Sequence, residues 1–240
     1  MSDNQSFSDR LPRAFALACS LHGSQKRKGT EIPYISHLLG VASLVLEDGG
    51  DEDEAIAALL HDAVEDQGGR TTRDKIRSEF GDRVADIVEA CSDTDTQPKP
   101  PWRERKETYL RHLAEETRPG VLRVSAADKL HNARCILADY QRVGEALWSR
   151  FNAGKAEQAW YYVRLARICR DRGVSEFLSR KLTDAVEEIR RIAWSVPTAS
   201  KENAAGAKEL LKRDPEDFRE EVVLRVVRER EVAPARLVKK

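Results

Sequence analysis

The sequence predicts an all-α helical bundle with an added C-terminal helical tail, and three observations predict it. Apolar residues recur at helical spacing along most of the 240 residues, and no convincing alternating strand or hairpin interrupts them. The breaks between the periodic runs carry residues that start and stop helices. Hydrophobic residues at 40% and charged residues at 34% suit amphipathic helices around one core, and the length suffices for a large domain plus an appendage.

In chain order, Ser6-Phe7-Ser8-Asp9 starts a helix to about Leu21, with Phe15, Leu17, Ala18 and Leu21 on its inner face. A loop rich in Gly, Lys and Arg runs from Gly23 to Pro33. Ser36 opens a second helix through Leu38, Val41, Leu44 and Val45, ended near Gly49-Gly50. Asp51-Glu52-Asp53-Glu54 has capping-box spacing and predicts a third helix that carries His61 to Asp66 and stops at Gly68-Gly69. Thr71–Phe80 and Asp82–Cys91 follow as two short helices broken at Gly81. Ser92 to Pro101 holds three prolines and two aspartates, so a loop is expected. Further helices are expected over Arg103–Glu116, Pro119–Tyr140, Gly144–Phe151, Lys155–Arg172 and Ser175–Trp194. The linker Val196-Pro197-Thr198-Ala199-Ser200 then divides a main domain, 1–195, from a tail, 196–240. Asp214-Pro215-Glu216-Asp217 is a strong helix start in that tail. The spacing of Phe218, Val222, Val223, Val226 and Val227 suits packing or a homo-oligomer contact.

The charge balance excludes some partners. Lys+Arg and Asp+Glu both number 41, so no global field favours nucleic acid or an acidic membrane, and any anion site must be local. No run approaches the roughly 20 apolar residues of a membrane span, and residues 1–10 are polar. Cys19, Cys91, Cys135 and Cys169 lie far apart in apolar helical contexts, as buried thiols of a reducing cytosol would. A cytoplasmic protein is expected.

The chemistry is concentrated in Ala57-Ala58-Leu59-Leu60-His61-Asp62-Ala63-Val64-Glu65-Asp66. A lone His-Asp pair is within chance for this composition, but its setting is an apolar helix, where buried His and Asp are costly unless paired or metal-bound. With His37 upstream and Asp128 downstream, His61 and Asp62 complete a four-ligand set. Imidazole plus carboxylate without thiolate suits Mn²⁺, Zn²⁺, Fe²⁺ or Mg²⁺ at a catalytic site. Such a site leaves positions for water and a substrate oxygen. Glu65 and Asp66 stand at i+4 from His61 and Asp62, where a carboxylate can orient or deprotonate the attacking water. Two acids at a helix C-terminus oppose the dipole, which suggests a use for them. Asn132, one turn after Asp128, can hydrogen-bond a ligand, and Arg134 offers a phosphate clamp. His131 lies off the Asp128/Asn132 face and reads as a structural histidine. Gln25-Lys26-Arg27-Lys28-Gly29, leading to Tyr34 and His37, suits a polyphosphate substrate, with Tyr34 bordering a base. Lys99, Arg103, Arg105 and Lys106 form a second basic cluster, read as a solvated helix start.

His22-Gly23-Ser24-Gln25-Lys26-Arg27-Lys28-Gly29, Pro33-Tyr34-Ile35-Ser36-His37, Ala58 to Asp66, Phe80-Gly81 and Ala127 to Arg134 occur in an order that resembles the HD hydrolase domain of the Rel/Spo stringent-response enzymes. The stand-alone small alarmone hydrolases are closer in size, and the resemblance covers about residues 8–195. It implies an HD-domain helical bundle with Mn²⁺ held by His37, His61, Asp62 and Asp128, and water activated by Glu65 and Asp66. It implies a nucleotide held by Arg27, Lys28, Asn132 and Arg134. The implied reaction takes the 3′-pyrophosphate from (p)ppGpp, giving GDP or GTP plus pyrophosphate, in a bacterial setting. Two departures stand out: Cys91-Ser92-Asp93-Thr94-Asp95 replaces a Thr-Lys-type segment, and Cys135 follows Arg134 where a hydroxyl residue is frequent. After residue 195 too little chain remains for a synthetase domain. Two alternatives stay open: an HD phosphohydrolase for NADPH, another nucleoside polyphosphate or a monophosphate, and a non-catalytic module that binds a nucleotide or a partner.

Overall fold

A computed structural model of the protein describes residues 7–92 and 98–194. The expected tail 196–240, and Asp93 and Asp95 of the expected loop, lie outside the described residues. Among the described residues ten α-helices form: α1 Arg10–His22, α2 Ile35–Glu47, α3 Glu52–Leu60, α4 Ala63–Asp66, α5 Gly69–Phe80, α6 Asp82–Cys91, α7 Trp102–Glu115, α8 Pro119–Val143, α9 Lys155–Asp171 and α10 Glu176–Trp194. No strand occurs among the described residues; the nearest approach is a single antiparallel bridge between Lys26 and Pro33.

Helix α3 is the centre. Seven of its nine residues are buried, among them Ala55, Ile56, Ala57, Ala58, Leu59 and Leu60, and it packs against α1, α2, α6 and α8. Its small residues let the neighbouring backbones approach closely, and each large apolar side chain buried there contributes roughly 1.5–3 kcal/mol. The capping box forms as its spacing predicts: Glu54 N–H donates to Asp51 Oδ1 (3.0 Å) and Asp51 N–H to Glu54 Oε2 (3.3 Å). Helix α8 begins on Pro119 at its first turn, where the missing N–H is no loss. Gly81, at φ +92°, separates α5 from α6 in a conformation L side chains rarely adopt.

Two expectations are corrected. The helix predicted to run unbroken from the capping box through Asp66 ends at Leu60, turns at His61 and Asp62, and restarts as α4. Asp62 sits at φ −94°, ψ −3°, in the bridge region, where the α3 helix does not continue into α4. The segment expected as an α-helix from Gly144 to Phe151 is a 3-10 helix, Gly144–Arg150.

Candidate metal centre and its basic rim

Three helices each bring one side chain to a common point. His37 from α2 is fully buried, His61 at the end of α3 is 1% exposed and Asp128 from the middle of α8 is 5% exposed. His Nε2 or Nδ1 and carboxylate oxygen atoms of these three all lie within 4.8 Å of one another. His37 Nε2 stands 3.2 Å from Asp128 Oδ1, and His61 Nε2 stands 3.6 Å from it. Asp62 falls outside that mutual set but borders it, with Oδ2 3.0 Å from His61 Nε2 and 3.6 Å from His37 Nε2. The turn between α3 and α4 is what points both His61 and Asp62 at this spot.

The donor set fits a divalent cation. Both Nε2 atoms are buried and make no hydrogen bond of acceptable geometry, an expensive arrangement unless something takes their lone pairs. The opposite nitrogens are engaged. His61 Nδ1 lies 2.8 Å from the Ala58 carbonyl, so it carries the proton and Nε2 the lone pair. His37 Nδ1 lies 2.9 Å from His131 Nδ1. Backing a ligand imidazole in this way fixes its tautomer and ring orientation. Burial alone would lower the His61 pKa, yet Asp62 and Asp128 hold it well above the usual value. Burial would likewise raise Asp62 and Asp128. His61 and His37 hold Asp62 well below the carboxylate range; Lys129, then His61 and His37, do so for Asp128. The cluster thus attracts positive charge, which a divalent cation would supply in place of protons.

Around this cage, Tyr34 O–H donates to Asp62 Oδ2 at 2.5 Å. Burial, then Asp62, raise its pKa, so it stays a neutral donor. Its ring stacks on His22 at 5.3 Å and meets His37 edge-on at 5.5 Å, with the Arg27 guanidinium 5.6 Å from its centroid. Tyr34 is therefore placed as a partner of Asp62, where the sequence suggested a neighbour of a base. Asn132 Nδ2 donates to Asp128 Oδ1 (2.6 Å) and Arg27 Nη2 donates to Asn132 Oδ1 (2.6 Å). That chain links the basic loop directly to a candidate ligand.

Glu65 and Asp66 lie just beyond the turn, on α4. Lys99 Nζ donates to Glu65 Oε1 at 2.8 Å, and Gln25 Nε2 donates to Asp66 Oδ2 at 2.9 Å. Desolvation, then the negative charges of Asp62 and Glu65, raise the Asp66 pKa, against the Gln25 hydrogen bond. A carboxylate with a raised pKa beside a metal cluster is a reasonable proton acceptor for a water. Lys28 Nζ reaches Asn152 Oδ1 at 3.0 Å, and Arg134 is exposed on α8, its charge helping to lower the His131 pKa.

Four participants were missed or undervalued in the sequence. His131 lies off the Asp128/Asn132 face as expected, yet it backs His37. Burial, then His37 and Arg27, push its pKa down to about 4, so it is neutral. Gly40 makes room for it: a Cβ there would overlap the His131 ring. Gln25 joins His22 Nδ1 (2.6 Å), Gln67 Nε2 (2.9 Å) and Asp66. Lys99 pairs with Glu65, and Lys129 pairs with Asp128. A lysine next to Asp128 between the apolar Ala126-Ala127 and Leu130 was the one available signal; the Lys99 contact spans 34 residues and leaves none.

Known proteins resemble this chain. The HD domain family matches residues 14–157. The chain is 42% identical over 135 residues to "Guanosine-3′,5′-bis(diphosphate) 3′-pyrophosphohydrolase MESH1" of Xenopus tropicalis, covering 55% of this chain and 70% of the relative. To the mouse protein of the same name it is 34% identical over 183 residues, covering 75% of this chain and 94% of the relative. A solved structure of a metazoan ortholog of SpoT, described as hydrolysing ppGpp, superimposes with a TM-score of 0.62 at 23% identity, covering 76% of this chain and 97% of that one. That likeness supports the all-α HD fold. Because these relatives are animal proteins, the resemblance does not narrow the source to bacteria. No described helix is long and apolar enough to cross a membrane.

Proposed function

The chain belongs to the HD domain family, and from that premise we propose that it removes the 3′-pyrophosphate of (p)ppGpp, yielding GDP or GTP and pyrophosphate. One observation carries the reading: two buried, unsatisfied histidine Nε2 atoms converge with Asp128 at the foot of a loop bearing Arg27 and Lys28. A cation site beside a basic loop matches a polyphosphate substrate, and the mouse relative, spanned almost end to end, bears the name of this activity.

The metal is assigned as Mn²⁺, with other divalent ions able to occupy the same ligands. His37, His61, Asp62 and Asp128 would hold it. Bound there, it would supply Lewis acidity toward a water and a phosphoryl oxygen. Asp66 takes a proton from the attacking water and Glu65, held by Lys99, orients it. The water oxygen bonds to the 3′-linked phosphorus, the bond to the ribose O3′ breaks, and the O3′ takes up the proton given by the water and leaves as the hydroxyl of GDP or GTP. Arg27, Lys28 and Arg134 face the negative charge, Asn132 fixes the ligand Asp128 while holding Arg27, and Tyr34 steadies Asp62. Residues 1–195 form the catalytic domain and 196–240 an extension; a compact unit ending at Ala193 supports that boundary. Four free cysteines support a reducing, cytoplasmic location.

The test is pyrophosphate release by purified protein with Mn²⁺, comparing ppGpp, NADPH and a nucleotide panel. Release from ppGpp, lost in Asp62→Ala and Glu65→Ala, is expected. Turnover of NADPH alone would reassign the substrate, and metal binding without turnover of any substrate would make the chain a binding module.

A further inference from the structure

Asp128 presents its two oxygens to opposite charges. Oδ1 faces the two histidine Nε2 atoms and accepts from Asn132, while Oδ2 is held by Lys129 Nζ in a short ion pair. Lys129 is itself mostly covered, with 14% of its side chain exposed, and its ammonium stands 5.1 Å from the Tyr109 ring centroid. A lysine on an accessible helix face would be free to turn to water; this one has a carboxylate on one side and an aromatic face on the other.

We propose that Lys129 is a positioning residue that competes with the metal for Asp128: it occupies Oδ2, leaves Oδ1 as the single oxygen offered to the ion, and holds metal binding weaker than the donor set alone would give. The proposal rests on the reading of His37, His61, Asp62 and Asp128 as a metal centre. The charge arithmetic supports it. Asp62 and Asp128 carry two negative charges, so with a divalent ion and Lys129 the cluster is net positive; without Lys129 it would be neutral. A cation one carboxylate away from a divalent ion, in a site with little water, repels it strongly. The surplus positive charge favours retention of an anionic phosphate substrate, at the expense of metal affinity.

The test is Mn²⁺ titration of the full chain by calorimetry, wild type against Lys129→Met, with thermal melts of each at zero and saturating Mn²⁺. Lys129→Met is expected to bind Mn²⁺ about tenfold tighter or more, and to gain a larger Mn²⁺-induced rise in Tm than wild type, because its unpaired Asp128 is relieved by the ion. Lys129→Arg, keeping the charge, should stay within about threefold of wild type. Should Lys129→Met fold only with metal present, its affinity is read by chelator competition from the loaded protein. Unchanged or weaker binding in Lys129→Met would overturn the proposal and make the lysine a structural or substrate-binding residue. Failure of wild type to bind Mn²⁺, Zn²⁺, Fe²⁺ or Mg²⁺ would instead overturn the metal centre and this proposal with it.

Discussion

The candidate metal cage and the basic rim of the site are built from opposite materials. His37, His61 and Asp128 are buried on three packed helices, and each is held from behind by another residue: His131, the Ala58 carbonyl, or Lys129 with Asn132. Arg27, Lys28 and Lys99 stand on a loop or before a helix, each tied down by a hydrogen bond to a residue 34 to 124 positions away. The cage is fixed by the same packing that makes the core, so its geometry exists before any ligand arrives. The rim bonds are each worth about 0.5–1.5 kcal/mol net, little enough to be exchanged for contacts with phosphate. Rigid where the chemistry is anchored and adjustable where the substrate varies, the site separates two requirements in space.

The sharpest way to break this contrast is His61→Ala. Loss of bound metal and a fall in pyrophosphate release of more than about a thousandfold are expected; metal content and activity measured together decide it, and a variant that keeps both would dissolve the cage. Gly40→Ala acts at one remove. Its Cβ would overlap His131, freeing the His37 ring, and Mn²⁺ affinity should fall about 10–100-fold; calorimetry at wild-type affinity would show that the backing histidine orients nothing. On the rim, Arg27→Ala should raise KM about tenfold while leaving Mn²⁺ affinity within about threefold. An equal loss of metal affinity would mean that the Arg27–Asn132–Asp128 chain belongs to the cage. The smallest effect is in acid. His131 titrates near 4 in the folded chain and near 6.5 in an unfolded one. Between those values the folded state binds fewer protons, so stability rises with pH and is lost as pH falls from about 6.5 to 4. With this partly exposed ring discounted for solvent, about 1 kcal/mol is expected, read as the difference in urea midpoints between wild type and His131→Gln across that window.

The contrast also explains what could be read in advance. The capping box at Asp51–Glu54, the Gly81 break and the Pro119 start act within a few residues, and each helix start or stop they imply is present. The candidate ligands were visible because His and Asp are expensive inside Ala-Leu helices, a cost that needs no knowledge of the fold. The turn at His61-Asp62 was not visible. Leu60 to Val64 has ordinary helix formers, and only the need to face both side chains toward α2 and α8 interrupts them. Lys99 on Glu65, Tyr34 on Asp62 and Lys129 on Asp128 depend on side-chain directions that spacing leaves open, and Gly144–Arg150 is locally compatible with either helical form.

Because α2, the end of α3 and α8 each contribute one candidate ligand, an ion bound there would also be a three-way cross-link among the helices that form the core. Its binding free energy adds to the stability of the whole bundle, not of a loop. Withdrawal of the ion would therefore raise the population of opened chains that proteases recognise. A cell short of the metal would lose copies of this protein as well as turnover per copy, so the lifetime of the chain becomes a second readout of metal supply.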